Sequence, residues 1–318
     1  MTLKSIFKPT LFLFFVSLMV SCSSDDDDQD LGPETGKYNT AVYITDAPVD
    51  NAEISGVFVT IAGVKVNGTS LEGFQKTTVE VSSLTNGSTE LLGNLDLEAD
   101  ANSTVVLELD NDADESGNTP GSYVLTAEGE KKALTSASNE ITLTDKAEVL
   151  ESDDNELIID FDLRKTIGMN GEGEYTFAND SQLANGIRVV NNLNTGTITG
   201  TVSNMNTSEA ETVIVFAYEK GSYDNSESQE DANGVNFTNA VTSSVVNEAN
   251  GDFSLHFVEE GDYELHFVSF EDVDADGQLE VEGEVNVTSA AGVDLGVVTV
   301  TADSTTSIEI LLAGLVDL

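Results

Sequence analysis

The chain has no tryptophan, one cysteine, two histidines and four prolines in 318 residues, and its 12 Lys and Arg face 58 Asp and Glu. A single cysteine, Cys22, permits no disulfide within the chain and closes off thiolate metal sites. Two histidines leave little room for imidazole-based catalysis. Cationic side chains are too few for a nucleic-acid surface, because such binding depends on cations displacing counterions from phosphates. The formal charge is −46, or −48 once residues 1–21, with Lys4 and Lys8 and no acid, are set aside. An acidic surface of that size favours solubility and leaves cations, basic patches or neutral glycans as partners.

Long apolar runs are also scarce. "LFLFFVSLMV" (Leu11–Val20) is ten residues long, half of the about 20 a bilayer span needs. With Lys4 and Lys8 before it and Ser21 after it, the block reads as a signal-peptide core over residues 1–21. Cys22 follows directly, and "LMVSC" resembles the lipobox of bacterial lipoproteins, in which the cysteine is lipidated and becomes the first mature residue. The acids Asp25, Asp26, Asp27 and Asp28 belong to an acidic, disordered tether spanning residues 22–36. "SSDDDD" resembles the Bacteroidota-type export signal. That resemblance implies an outer-membrane lipoprotein held by its lipid and facing the cell exterior.

Period-two alternation dominates the remainder. "GVFVTIAGVKVNG" alternates through Val57, Val59 and Ile61, breaks phase at Ala62-Gly63 and resumes at Val64 and Val66, which predicts a bulge or turn. "TVVLELD" places Val105, Leu107 and Leu109 on one face, and "ELIIDFDLRK" does the same with Leu157, Ile159, Phe161 and Leu163. "ETVIVFAYEK" is apolar on both faces, as a central strand would be. Helical period is limited to a turn or two at Thr89 to Leu95, "TELLGNL". Turn dipeptides recur at Asn67-Gly68, Asn86-Gly87, Asn250-Gly251 and Asp276-Gly277. The expected fold is all-β: two β-sandwich domains in tandem, residues 37–191 and 195–318, divided at the polar "NNLNT".

The motifs "AVYITDAPVDNAEISGVFVTIAGVKV" (Ala41–Val66), "IIDFDLRKTI" (Ile158–Ile167) and "GIRVVNNLNTGTITGTV" together resemble domain of unknown function 4382, a family of bacterial surface lipoproteins. In the first, Asp46 reads as a turn residue bonded to its own backbone, with a ligand role as the alternative. "GTITGTV", "VIVFAYE" and "NGDFSLHFVEEGDYELHFV" are similar to a carboxypeptidase regulatory-like or transthyretin-like sandwich, a type of module that is generally non-catalytic. The last motif reads as a hairpin. Phe253, Leu255 and Phe257 share a face, as do Tyr263, Leu265 and Phe267.

Four constellations could carry chemistry. Asp272, Asp274 and Asp276 followed by Gly277 match the first half of a calcium loop, with oxygens at alternating positions and a glycine for the sharp turn. The usual acid at the twelfth position is Gly283, so Glu280, Glu282 or Glu284 would have to replace it, and the alternative is an acidic hairpin turn. The segment Asp110 to Asn118 has similar spacing with Glu115 where glycine belongs. His256 and His266 occupy equivalent places in two "LHF" triplets and would stand about 5 Å apart if paired. Zinc would then need Glu264 or Ser254 as well, and two half-exposed strand histidines is the simpler reading. Asp160 and Asp162 share a strand face about 6.6 Å apart, a separation compatible with an inverting glycosidase, although Arg164 offers a plain ion partner.

The expected protein is therefore a lipid-anchored, surface-exposed, non-catalytic binding or structural module. Its partners are the membrane, through the lipid, and an unidentified protein or glycan, with no nucleic acid. A Ca²⁺-dependent adhesive or matrix protein and a carboxylate-based glycan hydrolase are the alternatives.

Overall fold

The computed structural model describes residues 36–47, 54–170, 174–205, 212–230, 235–273, 279–289, 292 and 294–316. Cys22, Asp25 to Asp28, Pro48, Asp274 and Asp276 lie outside the described residues. Residues 35–318 form one compact unit.

Its first half contains β1 (Lys37–Ala47), β2 (Ile54–Val66), β3 (Thr69–Ser70), β4 (Thr77–Glu80), β5 (Glu90–Glu98), β6 (Asp100–Leu109), β7 (Tyr123–Thr126), β8 (Lys131–Ala133), β9 (Glu140–Val149) and β10 (Asn155–Asp162). A one-turn helix α1 (Leu163–Thr166), β11 (Ile167–Met169), β12 (Tyr175–Phe177), helix α2 (Asp180–Gly186) and β13 (Ile187–Asn191) complete it. One sheet runs β13-β10-β1-β5, and a second runs β8-β7-β2-β6-β9 with β3 and β4 also on β2. The phase break in β2 is a bulge: its pairing with β6 slips between Ile61 and Gly63. The slip returns Val64 and Val66 to the side of Val57, Val59 and Ile61, and all five are buried.

β10 lies between β1, to which it is parallel, and β13, to which it is antiparallel. Leu157, Ile159 and Phe161 therefore enter the first core, while Asp160 and Asp162 project from the opposite face. The expected helical turn at Thr89 to Leu95 is instead strand β5. Its paired leucines suggest a helix, but Leu92 points inward and Leu91 outward. A slip against β1 beside Gly93 then resets the phase, so that Leu95 and Leu97 are buried.

The second half comprises β14 (Thr195–Val202), β15 (Thr212–Glu219), β16 (Thr242–Val245), β17 (Asp252–Glu259), β18 (Gly261–Glu271), β19 (Glu280–Ser289), β20 (Val298–Val300) and β21 (Thr305–Val316). These strands run β16-β15-β18-β19-β21-β14-β17, with β20 on β18. β15 is buried on both faces, as its sequence predicts. Val213, Val215 and Ala217 join one core, and Ile214, Phe216 and Tyr218 join another.

β17 and β18 do not form a hairpin. β17 pairs with β14, whereas β18 pairs with β15, β19 and β20, so the chain arches from one part of the sheet to another. Phe253 and Phe267 then meet edge to face across the core, with centroids 5.5 Å apart. The shared face of Phe253, Leu255 and Phe257 is also broken. A slip between Gly196 and Ile198 leaves His256 and Phe257 as a bulge, Phe257 has φ 53°, and Val258 is buried in its place. The two halves join at a single turn, Asn192–Asn194, between β13 and β14.

Candidate functional site: a charged cleft between the two halves

The end of β10 and the start of α1 carry Asp160, Asp162, Arg164 and Lys165, and β13 adds Arg188 beside Asp160. All of these except Arg188 are nearly buried. Asp160 is 6% exposed, and Asp162 and Lys165 are each 8% exposed. Asp46, at the end of β1, holds the start of α1 in place: its Oδ1 accepts the Leu163 N–H at 3.3 Å. The bond reaches an element more than a hundred residues away in the chain.

Each cation reaches across to backbone carbonyls of the second half. Arg188 donates from Nε to Asp160 Oδ2 at 2.7 Å, from Nη1 to the Phe257 carbonyl at 2.6 Å and from Nη2 to the His256 carbonyl at 3.1 Å. The bulge in β17 aims those two successive carbonyls at one guanidinium, since a regular strand would send them in opposite directions. Arg164 donates to the Asn236 carbonyl at 2.6 Å and to Asp162 Oδ2 at 3.1 Å, and its guanidinium carbon lies 5.0 Å from the Phe216 ring centroid. Lys165 donates to the Ala240 carbonyl at 2.7 Å and pairs with Asp162 at 3.2 Å. Such charge-assisted bonds are about twice as strong as neutral ones.

Burial pushes the Asp162 carboxyl up, but the Arg164 and Lys165 cations and the hydrogen bonds from Lys165 outweigh it, leaving Asp162 below the usual carboxylate range. Burial also lowers the Lys165 ammonium, against the pull of Asp162, and the neighbouring Arg164 cation adds to the lowering. A general acid for glycoside cleavage needs the opposite shift. The expected ion partner Arg164 thus serves Asp162, while Asp160 takes Arg188, which sequence spacing does not connect to it. Asp160 Oδ1 and Asp162 Oδ1 are buried and have no hydrogen-bond partner.

Asp160, Asp162, Lys165 and Arg188 line a cleft of about 670 Å³ that continues onto Glu219 and Glu259 of the second half. Partial burial raises the Glu259 carboxyl, Arg188 opposes this, and the neighbouring Glu148 and Glu219 add to it.

The histidines are separated. His266 Nδ1 lies 2.8 Å from Glu284 Oε1, and its ring stacks on Tyr223 at 3.6 Å. His256 packs instead against Gly87, where an added Cβ would come within 2.7 Å of Nδ1. Of the calcium candidates, Asp272 and Glu280 are described, and Glu280 Oε2 accepts the Val273 N–H at 2.9 Å. Glu282 accepts the Ser269 hydroxyl and Glu284 holds His266, so both acids beyond Glu280 have other partners. In the segment Asp110 to Asn118 an ammonium stands where a cation would go: Lys76 Nζ lies 3.1 Å from both Asp110 Oδ2 and the Ala113 carbonyl. Among the described residues, no group of three or more His, Cys, Asp or Glu could hold a metal ion.

Burial lowers the pKa of His256. The unfolded chain therefore binds that proton more readily than the folded one, so stability falls as pH drops below the ordinary imidazole value of 6.5. Asp162 acts in the same direction at lower pH: its contribution is intact above the ordinary value of 3.8 and is lost only as pH falls through its depressed folded value. Urea melts at about pH 7.5 and about pH 5.5, above the range where most carboxylates titrate, should show the first decline, and His256→Gln should remove it. An unchanged decline in the variant would rule out His256 as its source.

Family comparison places a name on part of this framework. Residues 39–178 match the domain of unknown function DUF4382. The match covers Asp46, the two β10 aspartates and both α1 cations, and it stops before Arg188. No curated protein matches the sequence. Among solved structures, the chain aligns with the major pilin subunit of Bacillus cereus at 11% identity and TM-score 0.23, over 87% of this chain and 70% of the pilin. It also aligns with the minor pilin of Streptococcus agalactiae at 11% identity and TM-score 0.21, over 88% and 97% of the two chains. For the shaft pilin of Lactobacillus rhamnosus the values are 13%, 0.20, 88% and 100%. Scores this low carry no weight for the role of this chain.

Proposed function

We propose that the protein is a non-catalytic module, lipid-anchored through Cys22 and displayed on the outer face of the outer membrane, whose two β halves move as one body and present the cleft between them to a partner. The observation that carries the non-catalytic reading is the use made of the charged cluster. Arg164, Lys165 and Arg188 all bind backbone carbonyls of the other half, and Asp162 is held ionised by two cations. Groups committed in this way fasten the halves together and are poorly suited to moving protons during a reaction. The all-β second half is read as a carboxypeptidase regulatory-like sandwich, a stalk or accessory unit. The anchor reading rests on the apolar block, Cys22 and Asp25 to Asp28 in sequence.

The test is metabolic labelling of cells with a fatty-acid probe, followed by protease treatment of intact cells. Wild type should take up the lipid and be shaved from the surface, and Cys22→Ala should take up none. Replacing Asp25 to Asp28 with alanine should keep the lipid but protect the protein from the protease. A labelled Cys22→Ala protein would reject the anchor, and full shaving of the alanine variant would reject the export role of the aspartates.

A further inference from the structure

Six Asn-Gly pairs occur in the chain, and four have both residues described: Asn67-Gly68, Asn86-Gly87, Asn185-Gly186 and Asn250-Gly251. An asparagine amide followed by glycine is open to attack by the glycine nitrogen, because no side chain on the glycine obstructs the approach. Three of the pairs are held against it. Asn67 Nδ2 donates to Ser103 Oγ at 3.0 Å, and its Oδ1 accepts the Thr104 N–H at 2.9 Å. Asn250 Nδ2 donates to Asp252 Oδ2 at 2.7 Å, and the Gly251 N–H donates to the Asn247 carbonyl at 2.6 Å. Asn185 and Gly186 lie in α2, whose ladder engages the glycine N–H.

Asn86-Gly87 differs on each count. Asn86 is exposed, and its amide makes one contact, from Nδ2 to the Thr85 hydroxyl at 3.5 Å, the limit of a hydrogen bond. Among the described residues the Gly87 N–H donates to no acceptor. The turn is fixed on both sides of the pair, where the Thr45 hydroxyl bonds the Leu84 carbonyl at 2.9 Å and the Ser88 carbonyl at 2.7 Å. Between these anchors one bond spans the tip, from the Ser88 N–H to the Thr85 carbonyl at 3.1 Å. An imidazole lies against that tip: a Cβ added to Gly87 would come within 2.7 Å of His256 Nδ1 and 2.9 Å of its Cε1. Burial lowers the pKa of this ring, so it is uncharged and able to take a proton at about pH 7.5.

We propose that Asn86 is a site of self-modification, with Gly87 as the nucleophile and His256 as the base. His256 Nδ1 takes the Gly87 amide proton, the Gly87 nitrogen forms a bond to Asn86 Cγ, and the Cγ–Nδ2 bond breaks. The proton leaves with that nitrogen as ammonia, and a five-membered succinimide remains. Water opens the ring at either carbonyl, giving an aspartate or an isoaspartate whose main chain is one carbon longer. No oxidant or reductant takes part. Asn86, Asp46, Asp160 and His256 line one small pocket between the halves, so the product sets a further carboxylate among existing ones and weakens the joint. The joint therefore loosens with age, in one direction.

The experiment incubates the mature chain at about pH 7.5, folded and in urea, and follows the amide-to-acid mass gain at each asparagine by peptide mapping. In urea Asn67, Asn86 and Asn250 should convert at similar rates. In the folded chain Asn86 should lead the other two by at least about 5-fold. His256→Gln should slow Asn86 at least about 5-fold and leave Asn67 unchanged. If Asn67 accelerates to its urea rate, that variant is unfolded, and His256→Phe serves in its place. Asn86→Asp, which stands for the direct product, should melt about 2–4 °C below wild type. No lead of Asn86 in the folded chain would overturn the site, and an unchanged Asn86 rate without the imidazole would overturn the base. An unshifted melting temperature for Asn86→Asp would overturn the loosening of the joint.

Discussion

Arg188→Met should lower the unfolding free energy by about 3–5 kcal/mol, the cost typical of removing one member of a buried pair. Asp160 is 6% exposed in the native chain, so without Arg188 its charge would be left in the interior with neither oxygen bonded. The His256 and Phe257 carbonyls would lose their shared donor as well. For a chain of this size the melting temperature should fall on the order of 10 °C. Adding Asp160→Asn removes the stranded charge and should restore at least about half of the loss. Calorimetry should show one transition in wild type and two in Arg188→Met, because the fastening between the halves weakens before either core does. A loss under about 1 kcal/mol, or no recovery in the double variant, would mean that Arg188 is not the principal fastener.

The second large effect is expected at Gly251. Its φ is +77°, and an added Cβ would lie 2.1 Å from the Val202 carbonyl oxygen. The Val202 N–H also donates to the Gly251 carbonyl at 2.8 Å, so the two backbones cannot separate without breaking the bond that joins them. Left-handed backbone alone costs a residue with a Cβ about 1–2 kcal/mol, and the forced displacement should bring Gly251→Ala to about 3 kcal/mol or more. Gly68→Ala provides the comparison. Its φ is +76° with nothing within 4 Å of the added atom, so only the backbone term applies, about 1 kcal/mol. Chemical denaturation of both variants measures the difference, and equal losses would show that the contact with Val202 relaxes without cost.

Much of the framework is legible in the sequence because strand burial imposes a period of two that side chains must obey. β10 and β15 follow it strictly, and even the bulge in β2 announces itself as a broken phase at Ala62-Gly63. β5 is misread because two adjacent leucines resemble a helical turn until a bulge at Gly93 shows that only one of them faces inward. The arch between β17 and β18 is concealed for a different reason. Two alternating strands joined by a short acidic turn look the same whether they pair with each other or with distant strands, since alternation records which face is buried and carries nothing about neighbours.

The charged cluster lies between these cases. Asp160 and Asp162 stand out on the polar face of an apolar strand, and Arg164 follows them closely enough to suggest an ion pair. Arg188 is 28 residues from Asp160, and only the β10–β13 register sets them side by side. A lone arginine within "GIRVVN", in a chain with so few cations, was the available signal. The receiving carbonyls leave no trace in the sequence, because a carbonyl belongs to every residue type.

That last property bears on inheritance. At Asn236, Ala240, His256 and Phe257 the grip falls on main chain, so substitutions there that keep the backbone path should leave it intact. For these hydrogen bonds, side-chain identity matters only on the half that donates. A chimera carrying Arg164, Lys165 and Arg188 with a second sandwich of unrelated composition should remain joined wherever that sandwich reproduces the bulge, which would let one half diversify while the other keeps its hold.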